Sequence, residues 1–192
     1  MAKISKILGD GTESVAQVTE KINRLIALCN SGTQLDKYVF LVESSQISTA
    51  VQTDLTLPGV PLSKVVVVDS VTKELLFKFT PPDLPEFKNA NEIWLIDSDL
   101  FIVYYWNQNT PAQTSRLLVM RDIVVDRENE TILYSTMENI SLGVRSIHGS
   151  TFDSSFLYLS SRQESKLVKI PLKTSITDFL VYTVPTSVIR FG

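Results

Sequence analysis

The stretch that decides the fold class reads Glu92-Ile93-Trp94-Leu95-Ile96, then Asp97-Ser98-Asp99, then Leu100-Phe101-Ile102-Val103-Tyr104-Tyr105-Trp106. Two apolar runs of strand length flank three turn-forming polar residues, and neither run is long enough for an ordinary helix. Alternate side chains of a strand leave opposite faces. Phe101, Val103 and Tyr105 therefore share one face, while Ile102, Tyr104 and Trp106 share the other. Both faces are apolar, which predicts a central strand covered on two sides.

The same texture extends in both directions. Upstream, strands are expected at Tyr38–Glu43, Ser63–Asp69 and Leu75–Phe79. Downstream they are expected at Arg116–Val125, Thr131–Ser135, Gly143–Ile147, Phe156–Ser160, Leu167–Leu172 and Phe179–Val184, with a weaker alternation over Gln46–Thr56. The proline cluster Thr80-Pro81-Pro82-Asp83-Leu84-Pro85 reads as an extended loop within one domain. Asn107–Gln113, interrupted by Pro111, reads as a polar hairpin tip. Ser, Thr, Val, Leu and Ile dominate and Ala is scarce, which favours strands over a helical bundle.

A short unit recurs along this region. An apolar pair runs into Asp, a few polar residues follow, and a second apolar run begins. It appears at Val67-Val68-Asp69, Leu95-Ile96-Asp97, Val124-Val125-Asp126 and Phe152-Asp153, with the aspartates 28, 29 and 27 positions apart. A short carboxylate at such a corner is suited to accept backbone N–H groups of a tight turn. The stretch Ser150–Thr174, with Phe152-Asp153, Phe156-Leu157-Tyr158-Leu159 and Leu167-Val168-Lys169-Ile170, resembles the inner strands of a β-propeller blade. That resemblance implies hairpin units repeated around an axis. An antiparallel β-sandwich accounts for the same pattern without ring closure.

One helix is expected, outside the repeat. Ser14 and Gln17 form a capping box, and Val15, Val18, Ile22, Leu25, Ile26 and Cys29 fall on one stripe that Gly32 ends. The chain therefore divides into an N-terminal arm and amphipathic helix, residues 1–34, and an antiparallel β domain, residues 35–192. The stripe Val15, Val18, Ile22, Leu25 and Ile26 is the expected assembly surface.

Bulk composition narrows the function classes. A net charge of −3, with scattered lysines and arginines, argues against nucleic-acid binding. The single cysteine forbids an intramolecular disulfide. No apolar run reaches membrane-spanning length and no signal-peptide core is present, so a cytoplasmic or virion location is expected. The lone histidine, His148, cannot supply a multi-histidine metal site, and no nucleophile elbow or phosphate-binding loop occurs. No cofactor, metal or catalytic residue is expected.

Two readings follow. The first is a non-catalytic structural or interaction protein that assembles into a homo-oligomer or larger particle. In composition and layout the chain resembles virion tail or fibre attachment components. The second is a carbohydrate-binding module with an aromatic platform of Trp94, Tyr104 and Trp106 beside the carboxylates of Asp97 and Asp99. Paired carboxylates of this kind can also share a hard cation or hydrolyse a glycoside, which leaves a hydrolase as a distant third.

Overall fold

The computed structural model describes residues 35–44, 60–104, 114–161 and 164–184, with the side chain of His148 outside that set. The expected helix and its assembly stripe, Val15 to Ile26, lie outside the described residues, as do Tyr105, Trp106, the tip Asn107–Gln113 and the Gln46–Thr56 alternation. Within the described residues the chain is mainly β, and every sheet is antiparallel.

Short runs separated by tight turns pair most readily with their sequence neighbours, and the result is three consecutive meanders. The first sheet joins β1 (Tyr38–Glu43), β2 (Lys64–Asp69) and β3 (Leu75–Phe79) in that order. The middle sheet runs β4 (Glu92–Ile96), β5 (Asp99–Tyr104), β6 (Arg116–Arg121), β9 (Thr136–Ser141). A separate small hairpin, β7 (Val124–Asp126) with β8 (Thr131–Leu133), interrupts the passage from β6 to β9. The third sheet runs β10 (Ile147–Phe152), β11 (Phe156–Ser161), β12 (Lys166–Pro171), β13 (Leu180–Thr183).

Two apolar cores separate these sheets. One side of the middle sheet presents Leu100, Ile102, Tyr104, Leu118 and Met120 to Phe40, Val65, Val67, Phe77 and Phe79 of the first sheet. Its other side presents Phe101, Val103, Leu117 and Val119 to Leu157, Leu159, Val168 and Ile170 of the third. The expectation of a doubly covered strand at 100–104 is met, since all five residues are fully buried. Two cores between three sheets make three layers, one more than a two-sheet sandwich has. Truncating any of these leucines to alanine would cost about 2–5 kcal/mol through lost burial and a residual cavity. The proline-rich segment is a loop of the same body, with Leu84, Phe87 and Ala90 in the first core.

Strand direction shows how the meanders correspond. Asn91 Nδ2 donates to the Ile147 carbonyl at 3.4 Å, so β4 and β10 begin at the same end. Ser44 Oγ donates to Asn89 Oδ1 at 3.3 Å, so β1 finishes at that end. Strand β1 thus runs opposite to β4 and β10, as β5 and β11 do. Among the described residues the first sheet holds counterparts of the second, third and fourth strands of its neighbours, and none of the first.

This correspondence corrects the short repeat. Asp97 and Asp153 occupy the turn between first and second strands, whereas Asp69 and Asp126 follow third-type strands or their extension. The spacing of 27 to 29 residues interleaves two series of turns. The structural unit is a whole sheet, and β4 and β10 start 55 residues apart. Two expected strands also shift. Arg116–Val125 is divided at Asp122, whose φ is 49°, and Gly143–Ile147 is connection up to Ile147, where β10 begins.

Candidate functional site

Turn aspartates are the first polar residues to place. Asp69 Oδ1 accepts from the amides of Val71 and Thr72 at 2.9 and 3.0 Å. Asp153 Oδ1 accepts from Ser155 and Phe156 at 2.7 and 2.8 Å. Asp126, buried, accepts from the backbone and side-chain nitrogens of Asn129. Backbone donors hold the Asp69 and Asp153 carboxyls below their ordinary value, Thr72 leading for Asp69 and Ser155 for Asp153. Asp97 is used differently: its φ of 56° places it in the left-handed region, which Asp tolerates better than most side chains.

Four segments at this turn end enclose a cleft of about 440 Å³. They are the β4–β5 turn with Asp97 and Asp99, the end of β6 with Arg121 and Asp122, the β9 entry with Ser135 and Glu138, and the connection after β12 with Leu172–Ser175. Arg121 organises it. Its Nη1 donates to Asp99 Oδ2 at 2.7 Å and to the Leu172 carbonyl at 2.5 Å, while Nη2 reaches the Thr174 carbonyl at 3.3 Å. Nε donates to Glu138 Oε1 at 3.3 Å, and the guanidinium carbon lies 5.3 Å from the Phe101 ring centroid. Asp99 Oδ1 also accepts the Asp122 amide at 2.9 Å, and Ser135 Oγ donates to Asp122 Oδ2 at 2.7 Å. Lengths near 2.7 Å mark charge-assisted bonds.

The planar fork of Arg121 thus fixes the middle sheet to carbonyls leaving the third sheet. Asp99 is occupied by that fork and by a backbone amide, so it does not present both oxygens to a cation with Asp97. Among the described residues no group of three or more His, Cys, Asp or Glu is placed to hold a metal.

The residues expected to form an aromatic platform separate. Tyr104 is fully buried, 5.2 Å from Phe87 between ring centroids, and its hydroxyl donates to Asn139 Oδ1 at 2.8 Å. Burial pushes that phenol up to about 12. Trp94 is half-buried against the other core, opposite Phe101. Trp94 and Tyr104 therefore sit on opposite sides of the middle sheet and share no surface, because Trp94 stands opposite Phe101 and Tyr104 lies three positions further along β5, an odd step that changes face. Asp97 and Asp99 do line one cleft, whose aromatic residue, Phe101, lies beneath Arg121. Sequence reading missed Arg121, whose only signal is a charged residue closing the apolar run Leu117–Met120.

A second set of residues stands out by exposure. Val39, Leu41 and Leu75 lie on the outer face of the first sheet, where register sets Val39 against Val68, Leu41 against Val66, and Leu75 against Val68. Glu43 and Lys78 form an ion pair on the same face. On the outer face of the third sheet Leu180 and Tyr182 are exposed beside Phe156, Tyr158 and Lys169, with the Lys169 ammonium 3.7 Å from the Phe156 ring centroid. Among the described residues, five of the nine large exposed apolar side chains thus lie on the two end faces of the stack.

No helix among the described residues is long and apolar enough to cross a membrane. A scan against protein-family models and searches of the curated proteins and of the solved structures find no match to this chain.

Proposed function

We propose that this chain is a non-catalytic structural or interaction protein, a propeller-like run of meander sheets that assembles through the two ends of its stack. The observation that carries this reading is the placement of Val39, Leu41 and Leu75 on one end face and Leu180 and Tyr182 on the other. Concentrated apolar surface of this kind is the usual mark of an association site, whereas singly scattered apolar residues are not. The end faces carry apolar side chains beside charged ones, with Val39, Leu41 and Leu75 next to the Glu43–Lys78 pair and Leu180 and Tyr182 next to Lys169. The product is a homo-oligomer or part of a larger particle of the virion tail or fibre kind.

The carbohydrate-binding reading draws support from the polar cleft at Asp97 and Asp99, and it lacks the support of a platform that Trp94 and Tyr104 would share. The assembly reading is therefore preferred.

Light scattering on the full chain over a range of concentrations is the test. A mass above one chain is expected. Leu41→Lys with Tyr182→Lys should lower it while far-ultraviolet circular dichroism keeps its strand signature. A mass of one chain at every concentration would sink homo-assembly.

A further inference from the structure

Resting on that reading, we infer that the joint between copies is heterologous: the outer face of the third sheet in one copy takes the outer face of the first sheet in a second copy. The two joints inside the stack set the rule for such a contact. Between the first and middle sheets, Phe40, Phe77 and Phe79 of the earlier sheet meet Leu100, Ile102, Leu118 and Met120 of the later one, with Tyr104 the one aromatic that the middle sheet adds. Between the middle and third sheets, Trp94 and Phe101 of the earlier sheet meet Leu157, Leu159, Val168 and Ile170 of the later one. In both joints the earlier sheet supplies most of the rings and the later sheet a mainly aliphatic surface. Flat rings set among branched side chains are one way to reach the close packing of a protein interior.

The two outer faces continue that rule. The third sheet turns Phe156, Tyr158 and Tyr182 outward, and the first turns Val39, Leu41, Val66, Val68 and Leu75 outward. The ring-bearing face is thus again that of the sheet later in the stack looking onward, and the aliphatic face that of the sheet looking back. Strand direction agrees, because β1 runs with β11 as it runs with β5 across the first interior joint. Charge opposes the pairing of two like third-sheet faces. Lys169 stands on the inner strand β12, its ammonium 3.7 Å from the Phe156 ring centroid and 6.0 Å from that of Tyr158. Pressing two such faces together would desolvate two ammonium groups against each other. Against the first sheet the same lysine meets a surface of both signs, where Glu43 stands beside Lys64 and pairs with Lys78. Each copy therefore carries one face of each kind. Unlike faces joined in series close into a ring or extend into a filament according to the rotation between copies.

The test uses two full chains, each with Cys29→Ser, one carrying Leu41→Cys and the other Tyr158→Cys. Packed sheets lie about 10 Å apart, a gap that a short bis-maleimide bridges. The chains are mixed dilute, concentrated, treated with the reagent and resolved under denaturing conditions, beside each chain treated alone. Covalent dimers in the mixture and none in either chain alone are expected. Dimers from Leu41→Cys alone or from Tyr158→Cys alone would overturn the heterologous joint while leaving end-face assembly standing. Assembled mass by light scattering with no crosslink in any sample would overturn the joint as well. A one-chain mass throughout would overturn both the joint and the assembly reading on which it rests.

Discussion

Arg121 contributes through geometry more than through charge alone. One guanidinium is shared among two carboxylates, two carbonyls and an aromatic face, and only 13% of its side chain is exposed. Removing it leaves Asp99 and Glu138 partly desolvated without their cation, and one-sided loss of this kind is what makes buried pairs costly. Arg121→Ala is expected to lower unfolding free energy by about 2 kcal/mol in urea titration, discounted from the fully buried case because both carboxylates retain some solvent. Arg121→Lys should recover less than half, since an ammonium cannot span Asp99 and the Leu172 carbonyl with a planar fork. Tyr104 gives a prediction in pH. Its phenol is raised to about 12 from an ordinary 10.0 by burial. The neutral form is favoured in the fold, so this stability is complete below pH 10 and lost as pH rises toward 12. That rise corresponds to roughly 3 kcal/mol. Tyr104→Phe should cost about 1 kcal/mol at neutral pH through the lost Asn139 bond, and should flatten the alkaline fall measured by chemical denaturation. Neither role was legible beforehand. The apolar stretch 100–104 announced a buried strand, but only the register of β4 with β5 could reveal that Trp94 and Tyr104 part company across the sheet.

Individual strands were readable wherever apolar residues crowd together. The bounds Tyr38–Glu43, Leu75–Phe79 and Glu92–Ile96 come directly from their flanking polar residues. The missed strands are β9 and β10. Thr136–Ser141 is half-buried at the rim of the middle sheet, so its alternation is weak, and Ile147–Phe152 carries Gly149 and turn-like residues. Gly149 has a packing reason that no propensity scale contains. Register shifts between Ile147 and Gly149, leaving His148 as the extra residue of a bulge. A Cβ at 149 would meet Ser160 Oγ at 2.8 Å, and that hydroxyl donates to the Gly149 carbonyl at 3.2 Å. Gly149→Ala must therefore displace the serine side chain and break its bond, at a cost of about 1 kcal/mol. Ser160→Ala opens the space. The double variant should be more stable than the two single effects added together, and a thermal-unfolding cycle with strictly additive changes would place the constraint elsewhere.

For the whole molecule, the fold class was legible and the period was not. Aspartate is favoured at several distinct corners of a meander, so the four Asp turns registered as one short repeat when they belong to two series. Only strand direction, set by contacts such as Asn91 to Ile147, separates them. Among the described residues the same directions give the first sheet three strands against four in each neighbour, and both ends of the stack carry exposed apolar side chains. This makes stability depend on neighbours. Anything that binds the folded chain and not the unfolded one raises apparent stability by mass action, and for self-association the binding partner is the protein's own concentration. The melting temperature should therefore climb as concentration is raised a hundredfold. If association is linked to folding, the gain approaches about 2.7 kcal/mol per joint once concentration is a hundred times the dissociation constant. Leu41→Lys sets an ammonium on the end face and should flatten that climb, leaving the dilute-limit melting temperature within a degree or two, because Leu41 is 49% exposed and contributes little to the isolated chain. Scanning calorimetry at low and high concentration on both proteins separates the cases. A climb of equal size in Leu41→Lys would place the association away from the first sheet, and a flat response in both would count against self-assembly through the end faces.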